Sequence, residues 1–135
     1  MFEDEASFGR ISNPRRCWTP LKERPIVPCQ HIREYIHAYG AVDLQNGESF
    51  FLALPSSNTK CMNVFLEKLS KNYPNRSIML ICDNASWHKS QELVIPVSIK
   101  IVYLPPYAPE MNPIEQVWDM IRERGFVNQI FKSLA

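Results

Sequence analysis

The sequence predicts an α/β fold: a mixed sheet of three antiparallel strands plus two parallel strands, flanked by helices. Two observations predict it. Strand-like segments with a tight turn fill the first part of the chain, and strand and helix patterns alternate in the remainder. The length of 135 residues suits one domain, and hydrophobic and charged fractions of 45% and 21% are ordinary for a globular protein.

The first part of the chain predicts an antiparallel meander. Residues 1–8 alternate as in a strand with one side turned inward. One face carries Phe2, Asp4 and Ala6, and the other carries Glu3, Glu5 and Ser7. Several prolines within 9–31 favour an extended loop or an irregular hairpin arm. Strands at 34–43 and 49–54 follow, and an Asn-Gly turn between them predicts a hairpin.

The remainder predicts alternating helices and strands. Apolar side chains at helical spacing indicate an amphipathic helix over 59–72. The continuous apolar run at 77–83 is typical of a central strand that is buried on both faces. A short helix or turn at 86–94 and a strand at 99–104 follow, so the two later strands are expected to lie parallel in the sheet.

The last helix has the clearest boundary signals. Asn112 is a good N-cap, Pro113 suits the first helical position, and Glu115 stands where a capping box has its acid. Apolar residues at helical spacing follow, namely Ile114, Val117, Trp118 and Ile121. Gly125 is a suitable residue to end the helix.

Asp4, Asp83 and Glu115 are expected to meet at one point. If the first and fourth strands are neighbours, Asp4 and Asp83 lie side by side where central strands end, and the last helix brings Glu115 to them. Carboxylates suit Mg²⁺ or Mn²⁺, and two such ions would clamp the attacking and leaving oxygens of a displacement at phosphorus. The sequence thus predicts metal-dependent phosphodiester chemistry on nucleic acid.

Each of these residues also has a local explanation. Asp4 could belong to an exposed acidic start, Asp83 could cap the next helix, and Glu115 could only complete a capping box. Asn84 and His88 are accessory candidates: Asn84 could hold a ligand-bound water, and His88 could orient a water or touch a phosphate. A structural role is the alternative for both.

Positive charge is local. The net charge is only +1, so any contact with nucleic acid must come from a local cluster. A basic segment surrounds Trp18 and contains Arg10, Arg15, Arg16, Lys22 and Arg24. The last four are candidates for contact with DNA phosphates, and a solvated charged loop is the alternative.

The cysteines and apolar runs restrict the cellular setting. The four cysteines contain no Cys-x-x-Cys pair, which favours reduced thiols in the cytoplasm. The gaps in a set of Cys17, Cys29, His31 and His37 fit no standard zinc site. Apolar runs are too short to cross a membrane and no secretory leader is recognisable, so a membrane partner is not expected.

Several strings occur in a recognisable order over nearly the whole chain. They are Phe-Glu-Asp-Glu-Ala-Ser-Phe at 2–8, Arg-Arg-Cys-Trp-Thr-Pro at 15–20, Gly-Ala at 40–41, Asp-Asn-Ala-Ser-Trp-His at 83–88, and Leu-Pro-Pro-Tyr-Ala-Pro-Glu-Met-Asn-Pro-Ile-Glu-Gln-Val-Trp at 104–118. Together they resemble the catalytic domain of DDE transposases, more narrowly the bacterial insertion-sequence type of the mariner-like superfamily.

The resemblance implies a ribonuclease H-like fold of the retroviral integrase type. It implies that Asp4 is shared between two metal ions, that Asp83 and Glu115 are further ligands, and that Glu5 is a neighbour that binds no metal. It also implies an endonuclease and strand transferase that cuts DNA at transposon ends and joins the freed 3′-hydroxyl to target DNA, in the bacterial cytoplasm at the nucleoid.

The resemblance also raises expectations about organisation. Such transposases carry helix-turn-helix modules before the catalytic domain, and these are absent from residues 1–135, which are expected to form a single catalytic domain. A homodimer or a separate N-terminal DNA-binding portion is the expected partner besides DNA. Two alternatives stay open: a ribonuclease H-like nuclease without strand transfer, and an inactive remnant that only binds DNA or a partner.

Overall fold

The computed structural model describes residues 1–11 and 14–133. The strands are β1 (Phe2–Ile11), β2 (His31–Val42), β3 (Ser49–Leu54), β4 (Ile78–Cys82) and β5 (Ile99–Tyr103), and the helices are α1 (Thr59–Asn72) and α2 (Ile114–Gly125). Short 3₁₀ turns occur at Ser86–Lys89 and Pro109–Met111. Within these parts of the chain, no helix has the length and apolar character needed to span a bilayer.

The five strands form one mixed sheet in the order β3-β2-β1-β4-β5. The pairs β1–β2 and β2–β3 are antiparallel, and the pairs β1–β4 and β4–β5 are parallel. The predicted architecture is therefore confirmed. Phe2 pairs with Ile81, so the parallel register carried two residues further sets Asp4 beside Asp83.

Helices cover the two faces of the sheet. Helix α1 begins after Asn58, whose side chain accepts a hydrogen bond from the Cys61 backbone N–H at 2.9 Å. Its buried stripe packs on one face of the sheet and consists of Met62, Phe65, Leu66 and Leu69. On the other face, Trp118 and Ile114 of α2 pack against Ala6 and Phe8 of β1.

Strand β1 lies in the middle of the sheet with both faces covered. The predicted alternation of its side chains is confirmed, because Ala6 and Phe8 pack towards α2. The expectation that only one side turns inward is wrong, because Glu3 on the opposite face is fully buried. A central strand between two layers of structure has no solvated side, which short alternating patterns do not show.

The strands β1 and β2 run further than predicted, to Ile11 and from His31. Gly9 permits this pairing, because a Cβ at that position would come within 2.5 Å of the Tyr35 ring. Between the two strands the chain is without regular structure over residues 14–30, as the prolines predicted.

The start of α2 differs from the predicted capping box. The helix begins at Ile114, with Pro113 at the cap and no capping hydrogen bond from its side chain. Asn112 is buried, and its amide nitrogen donates to the Glu3 carbonyl at 2.9 Å, while its oxygen accepts from the Ile114 N–H at 3.4 Å. Asn112 thus ties the helix to β1, which a capping pattern alone does not predict.

Candidate active site

Asp4, Asp83 and Glu115 line one cleft of about 430 Å³. Asp4 lies on β1, Asp83 directly follows β4, and Glu115 lies in the first turn of α2. The structure therefore brings the three predicted acids together. The remaining wall is formed by Asn84, Ala85, Asn112 and the loop at 104–109.

Asp4 is held by the closing helix. Its Oδ2 accepts a hydrogen bond from Trp118 Nε1 at 3.0 Å. Burial, followed by repulsion from the carboxylates of Glu115 and Glu5, raises the pKa of Asp4 to about 7. Without a cation, the Asp4 carboxyl is therefore protonated in a large fraction of the molecules near neutral pH.

Asp83 has the opposite electrostatic environment. Its Oδ1 accepts from the Ala85 backbone N–H at 2.8 Å and lies 3.0 Å from Nδ1 of His88. The contact with His88 lowers the pKa of Asp83 against the opposing effect of burial, and the Ala85 N–H adds to the lowering. Asp83 therefore stays ionised at a pH where Asp4 begins to take up a proton.

Glu115 reaches the cleft through the geometry of α2. It precedes Trp118 by three residues, so both side chains lie on the same face of the helix. The Asn112 amide, bonded to the Glu3 carbonyl, fixes the start of that helix against β1. One helix thus supplies the third acid and also the donor that holds the first acid.

The loop after β5 completes the cleft. Asn84 donates its side-chain amide N–H to the carbonyl of Leu104, which joins the ends of β4 and β5. Tyr107 on this loop has a positive φ of 59° and a fully exposed ring. Asn84 lines the cleft, but its amide nitrogen is already used in holding the wall.

A buried polar layer lies beneath the acids. His88 has no exposed surface, so its place is under the cleft and not in it. Its Nε2 lies 3.1 Å from Oε1 of Glu5 and 3.7 Å from Oε2 of Glu3. Trp87 donates its indole N–H to the same Glu5 oxygen at 2.8 Å. Glu5 is therefore a shared acceptor inside the fold.

Charge in this layer is unevenly distributed. Burial, then the nearby Glu5, raises the pKa of Glu3 well above its ordinary range, and neither Glu3 oxygen has a hydrogen-bond partner in the described structure. Burial alone would lower the pKa of His88, but its bonds to Asp83, Cys82 and Glu5 outweigh this and raise it. Glu3 therefore holds its proton more tightly than an exposed glutamic acid does, and His88 holds its proton more tightly than an exposed histidine does.

Glu3, Cys82 and His88 bring ligand-type atoms within 4.8 Å of one another. This group does not form an open metal site, because both ring nitrogens of His88 already face carboxylate oxygens. The set of Cys17, Cys29, His31 and His37 is not assembled among the described residues either. His37 instead bonds Ser7 and Ser57 through Nδ1, at 3.0 and 2.9 Å.

The basic segment lies apart from the cleft wall. Arg15, Arg16, Lys22 and Arg24 are exposed, and none of them lines the cleft in the part of the chain that the structure describes. Arg15 lies 3.4 Å from Glu123 of α2. Arg10 is largely buried and paired with Glu34 at 2.8 Å, so it is not available to a ligand.

Sequence reasoning missed the contacts that support the acids. The family resemblance gives Glu5 only as a neighbour of Asp4, and the helical spacing gives Trp118 only as an apolar residue. A signal was present for the first: Glu3 and Glu5 stand two residues apart on the same face of a strand that was expected to be central. Acids on a covered face need partners, and Trp87 and His88 were the available donors.

The sequence of the chain matches a known family. A sequence profile of the DDE superfamily endonucleases matches residues 1–135. A protein of Sinorhizobium fredii (strain NBRC 101917 / NGR234), called uncharacterized protein y4pE/y4sA, is 34% identical over 100 residues, which cover 73% of this chain and 74% of that protein.

Solved structures give the same picture of the fold. A pre-cleavage Mos1 transpososome matches with a TM-score of 0.71 at 13% identity, and a Mos1 mariner paired end complex with Mn matches with 0.69 at 15%. Each alignment includes 98% of this chain but only 44% of the Mos1 chain. The chain therefore spans less than half the length of these transposases. The likeness confirms the ribonuclease H-like fold.

Proposed function

The chain belongs to the DDE superfamily endonucleases, and from this we propose that it is the catalytic domain of a transposase. Its reaction would be hydrolysis of phosphodiesters at transposon ends, followed by joining of the 3′-hydroxyl ends to target DNA. The observation that carries the proposal is the cleft in which Asp4, Asp83 and Glu115 meet from three different elements.

The donor set of the cleft fits a hard divalent cation. Asp4, Asp83 and Glu115 offer only carboxylate oxygens, and their mutual repulsion, with burial, raises the pKa of Asp4. A cation among them would remove that repulsion. We propose that these three residues hold Mg²⁺ or Mn²⁺, as two ions, which when bound would activate the attacking oxygen and stabilise the leaving oxygen.

The protein's own side chains would prepare the site. The indole N–H of Trp118 fixes one Asp4 oxygen, and the Ala85 N–H fixes one Asp83 oxygen, so both carboxylates are oriented before any ligand arrives. Asn84 holds the loop that forms the opposite wall. The carboxylates that would hold the metal ions are thus already oriented before a phosphodiester binds.

DNA would be held partly outside the cleft. The exposed cations of the segment between β1 and β2, namely Arg15, Arg16, Lys22 and Arg24, would contact phosphates of the duplex. As part of the same proposal, the domain works as a homodimer or with a separate N-terminal DNA-binding portion that recognises the transposon ends.

The test is metal-dependent cleavage and strand transfer by the purified protein. Asp83→Ala and Asp83→Asn are expected to abolish both reactions while the protein stays folded, because the side chain is half exposed and its removal empties no core. Asp119→Asn is the matched control, because Asp119 is an exposed α2 acid outside the cleft. Metal-dependent cleavage retained by Asp83→Ala would reject the assignment.

A pre-cut DNA end separates the proposed reaction from its alternatives. A transposase joins the supplied 3′-hydroxyl to a second duplex, whereas a nuclease without strand transfer only hydrolyses. Binding of DNA without either reaction, in the presence of Mn²⁺ and of both transposon ends, would identify an inactive remnant.

A further inference from the structure

We propose that His88 and Glu5 are positioning residues that fix the Asp83 carboxylate for metal binding from beneath the cleft. This inference rests on the proposed function, because Asp83 is taken there as a metal ligand. It adds two residues that the cleft does not expose. Neither contacts the ligand, and both act through Asp83.

The His88 ring bridges two acids. Its Nδ1 lies 3.0 Å from Oδ1 of Asp83 and 3.3 Å from the backbone carbonyl oxygen of the same residue, and its Nε2 lies 3.1 Å from Oε1 of Glu5. Glu5 belongs to β1 and Asp83 follows β4, so the ring spans the two central strands. A ring with an oxygen acceptor on each side cannot turn without losing one of the two contacts.

The position of the ring is fixed by its surroundings. His88 is fully buried, and Trp87 packs edge-on against it with the ring centroids 5.8 Å apart. Trp87 also donates to Oε1 of Glu5 at 2.8 Å, so the acceptor that holds His88 is itself held. The Tyr103 hydroxyl donates to the backbone carbonyl of His88, which fixes the main chain there.

The contacts select one Asp83 oxygen. The Ala85 N–H and His88 Nδ1 both approach Oδ1, at 2.8 and 3.0 Å. No hydrogen bond to Oδ2 is found among the described residues. With one hydrogen bond from Ala85 and the His88 ring beside it, Oδ1 is held on the protein side of the carboxylate, and Oδ2 is the oxygen left to a ligand. This is the orienting role that groups bonded to metal ligands play in general.

The bridge also ties the two acid-bearing strands to each other. Glu5 follows Asp4 directly on β1, so the chain Glu5–His88–Asp83 fixes one acid relative to the other from below. A loss of this bridge would leave the cleft in place but loosen the Asp83 side chain. The effect should therefore appear first in metal affinity.

The test compares amide side chains of two lengths at position 88. In His88→Asn the amide nitrogen stands near the place of Nδ1 and can still donate to Asp83, whereas in His88→Gln it reaches the place of Nε2 and donates towards Glu5. Mn²⁺ affinity of the DNA-free protein is measured by calorimetry, with thermal midpoints recorded for each variant.

We expect His88→Gln and His88→Ala to weaken Mn²⁺ binding about tenfold or more, as is typical when such orienting groups are lost. His88→Asn should recover only part of the affinity, because it keeps the donor to Asp83 but loses the contact with Glu5. Cleavage at saturating Mn²⁺ should recover in His88→Asn. Equal affinities of the Asn and Gln variants, or affinities that follow thermal midpoint alone, would overturn the proposal. The Asn–Gln comparison remains decisive if His88→Ala does not fold.

The wild-type protein and Asp83→Ala distinguish this inference from the proposed function. If Asp83→Ala binds Mn²⁺ as tightly as the wild type, the metal site itself is misassigned. If Asp83→Ala loses binding while His88→Gln keeps it, the site is correct and only the positioning role is rejected.

Discussion

Trp118 combines a packing role with a polar one, and the two can be separated by substitution. Its ring is 1% exposed and packs against Phe8 and Phe51, while its indole N–H donates to Asp4. Trp118→Phe keeps an aromatic ring but removes the donor, so we expect a marked loss of cleavage rate with a smaller loss of stability. Trp118→Ala should cost about 3–5 kcal/mol of unfolding free energy.

Urea denaturation and cleavage rates measured on the same preparations test this separation. Val117→Ala serves as a neighbouring packing control, since Val117 belongs to the same apolar cluster but has no bond to an acid. Cleavage by Trp118→Phe at the wild-type rate would show that the bond to Asp4 has no role in the site.

The raised pKa of Asp4 determines how the stability of the metal-free protein should depend on pH. This pKa rises from an ordinary 3.8 to about 7 in the folded state, so the folded protein binds the proton more tightly. The stability from this proton is fully present below about pH 4 and is lost as pH rises through about 7. The raised pKa of Glu3 acts in the same direction. The pKa of Asp83 is lowered, so its contribution to stability is present above its ordinary pKa of 3.8 and is lost only as pH falls below that range.

Thermal midpoints between pH 5 and 7.5 in the presence of a chelator should therefore fall as pH increases. Asp4→Asn removes the ionisable group, so the variant should be more stable than the wild type at pH 7 and show a flatter curve. An unchanged slope in Asp4→Asn would place the titration elsewhere in the protein.

Single residues also show how far sequence reasoning could go. The meeting of Asp4, Asp83 and Glu115 could be predicted because strand facing and local patterns locate them. Asp4 lies near the start of β1, Asp83 directly follows β4, and Glu115 lies in the first turn of α2. The support of Asp83 by His88 and of Asp4 by Trp118 could not be predicted, because those pairs depend on how side chains orient across layers. Burial of Glu3 likewise depends on what covers β1.

At the scale of elements, α2 is placed by its close approach to β2. A Cβ at Gly40 would come within 2.7 Å of the Trp118 ring and 2.8 Å of Ile114. Gly40→Ala should therefore push α2 away from the sheet and displace Glu115 and the Trp118 donor together. We expect lower stability and a loss of cleavage, measured by denaturation and by activity assays.

Gly125→Ala is the matched control for this displacement. Gly125 ends the same helix, and nothing lies within 4 Å of a Cβ there. This substitution should leave the protein as stable as before or up to about 1 kcal/mol more stable, because alanine favours helix over glycine. Equal effects of the two substitutions would contradict the role of close packing at Gly40.

Element order followed from sequence better than element boundaries did. The change between strand-like and helix-like spacing of apolar residues predicted all five strands and both main helices, since each pattern is local. The extra length of β1 and β2 depends on Tyr35 packing over Gly9, and the start of α2 depends on Asn112 bonding β1. Both are contacts between elements, which periodicity does not contain.

At the scale of the whole molecule, the order of the strands in the sheet brings residues that are distant in sequence together in one cleft. Strand β1 pairs with β2 on one side and β4 on the other, so acids near residues 4 and 83 become neighbours through topology alone. The fold could be predicted because meander and crossover connections leave few arrangements. The depth of the cleft could not, since it depends on the loop at 104–109.

Because the site is assembled only when the whole domain is folded, divalent metal should stabilise the fold. Binding to the native state alone raises the unfolding free energy by about 2.7 kcal/mol when the metal concentration is one hundred times its dissociation constant. For a domain of this size that is a shift of several degrees in the thermal midpoint. Mn²⁺ and Mg²⁺ should both produce it at pH 7.

The shift should depend on the acids and on their ionisation. Asp83→Ala should lose it, while the exposed-acid control Asp119→Asn should keep it. At pH 5 the shift should be smaller, because Asp4, with a pKa of about 7, must give up a proton before it can bind metal. A midpoint that millimolar metal leaves unchanged, or raises equally in Asp83→Ala, would show that the three carboxylates do not form a preformed metal site.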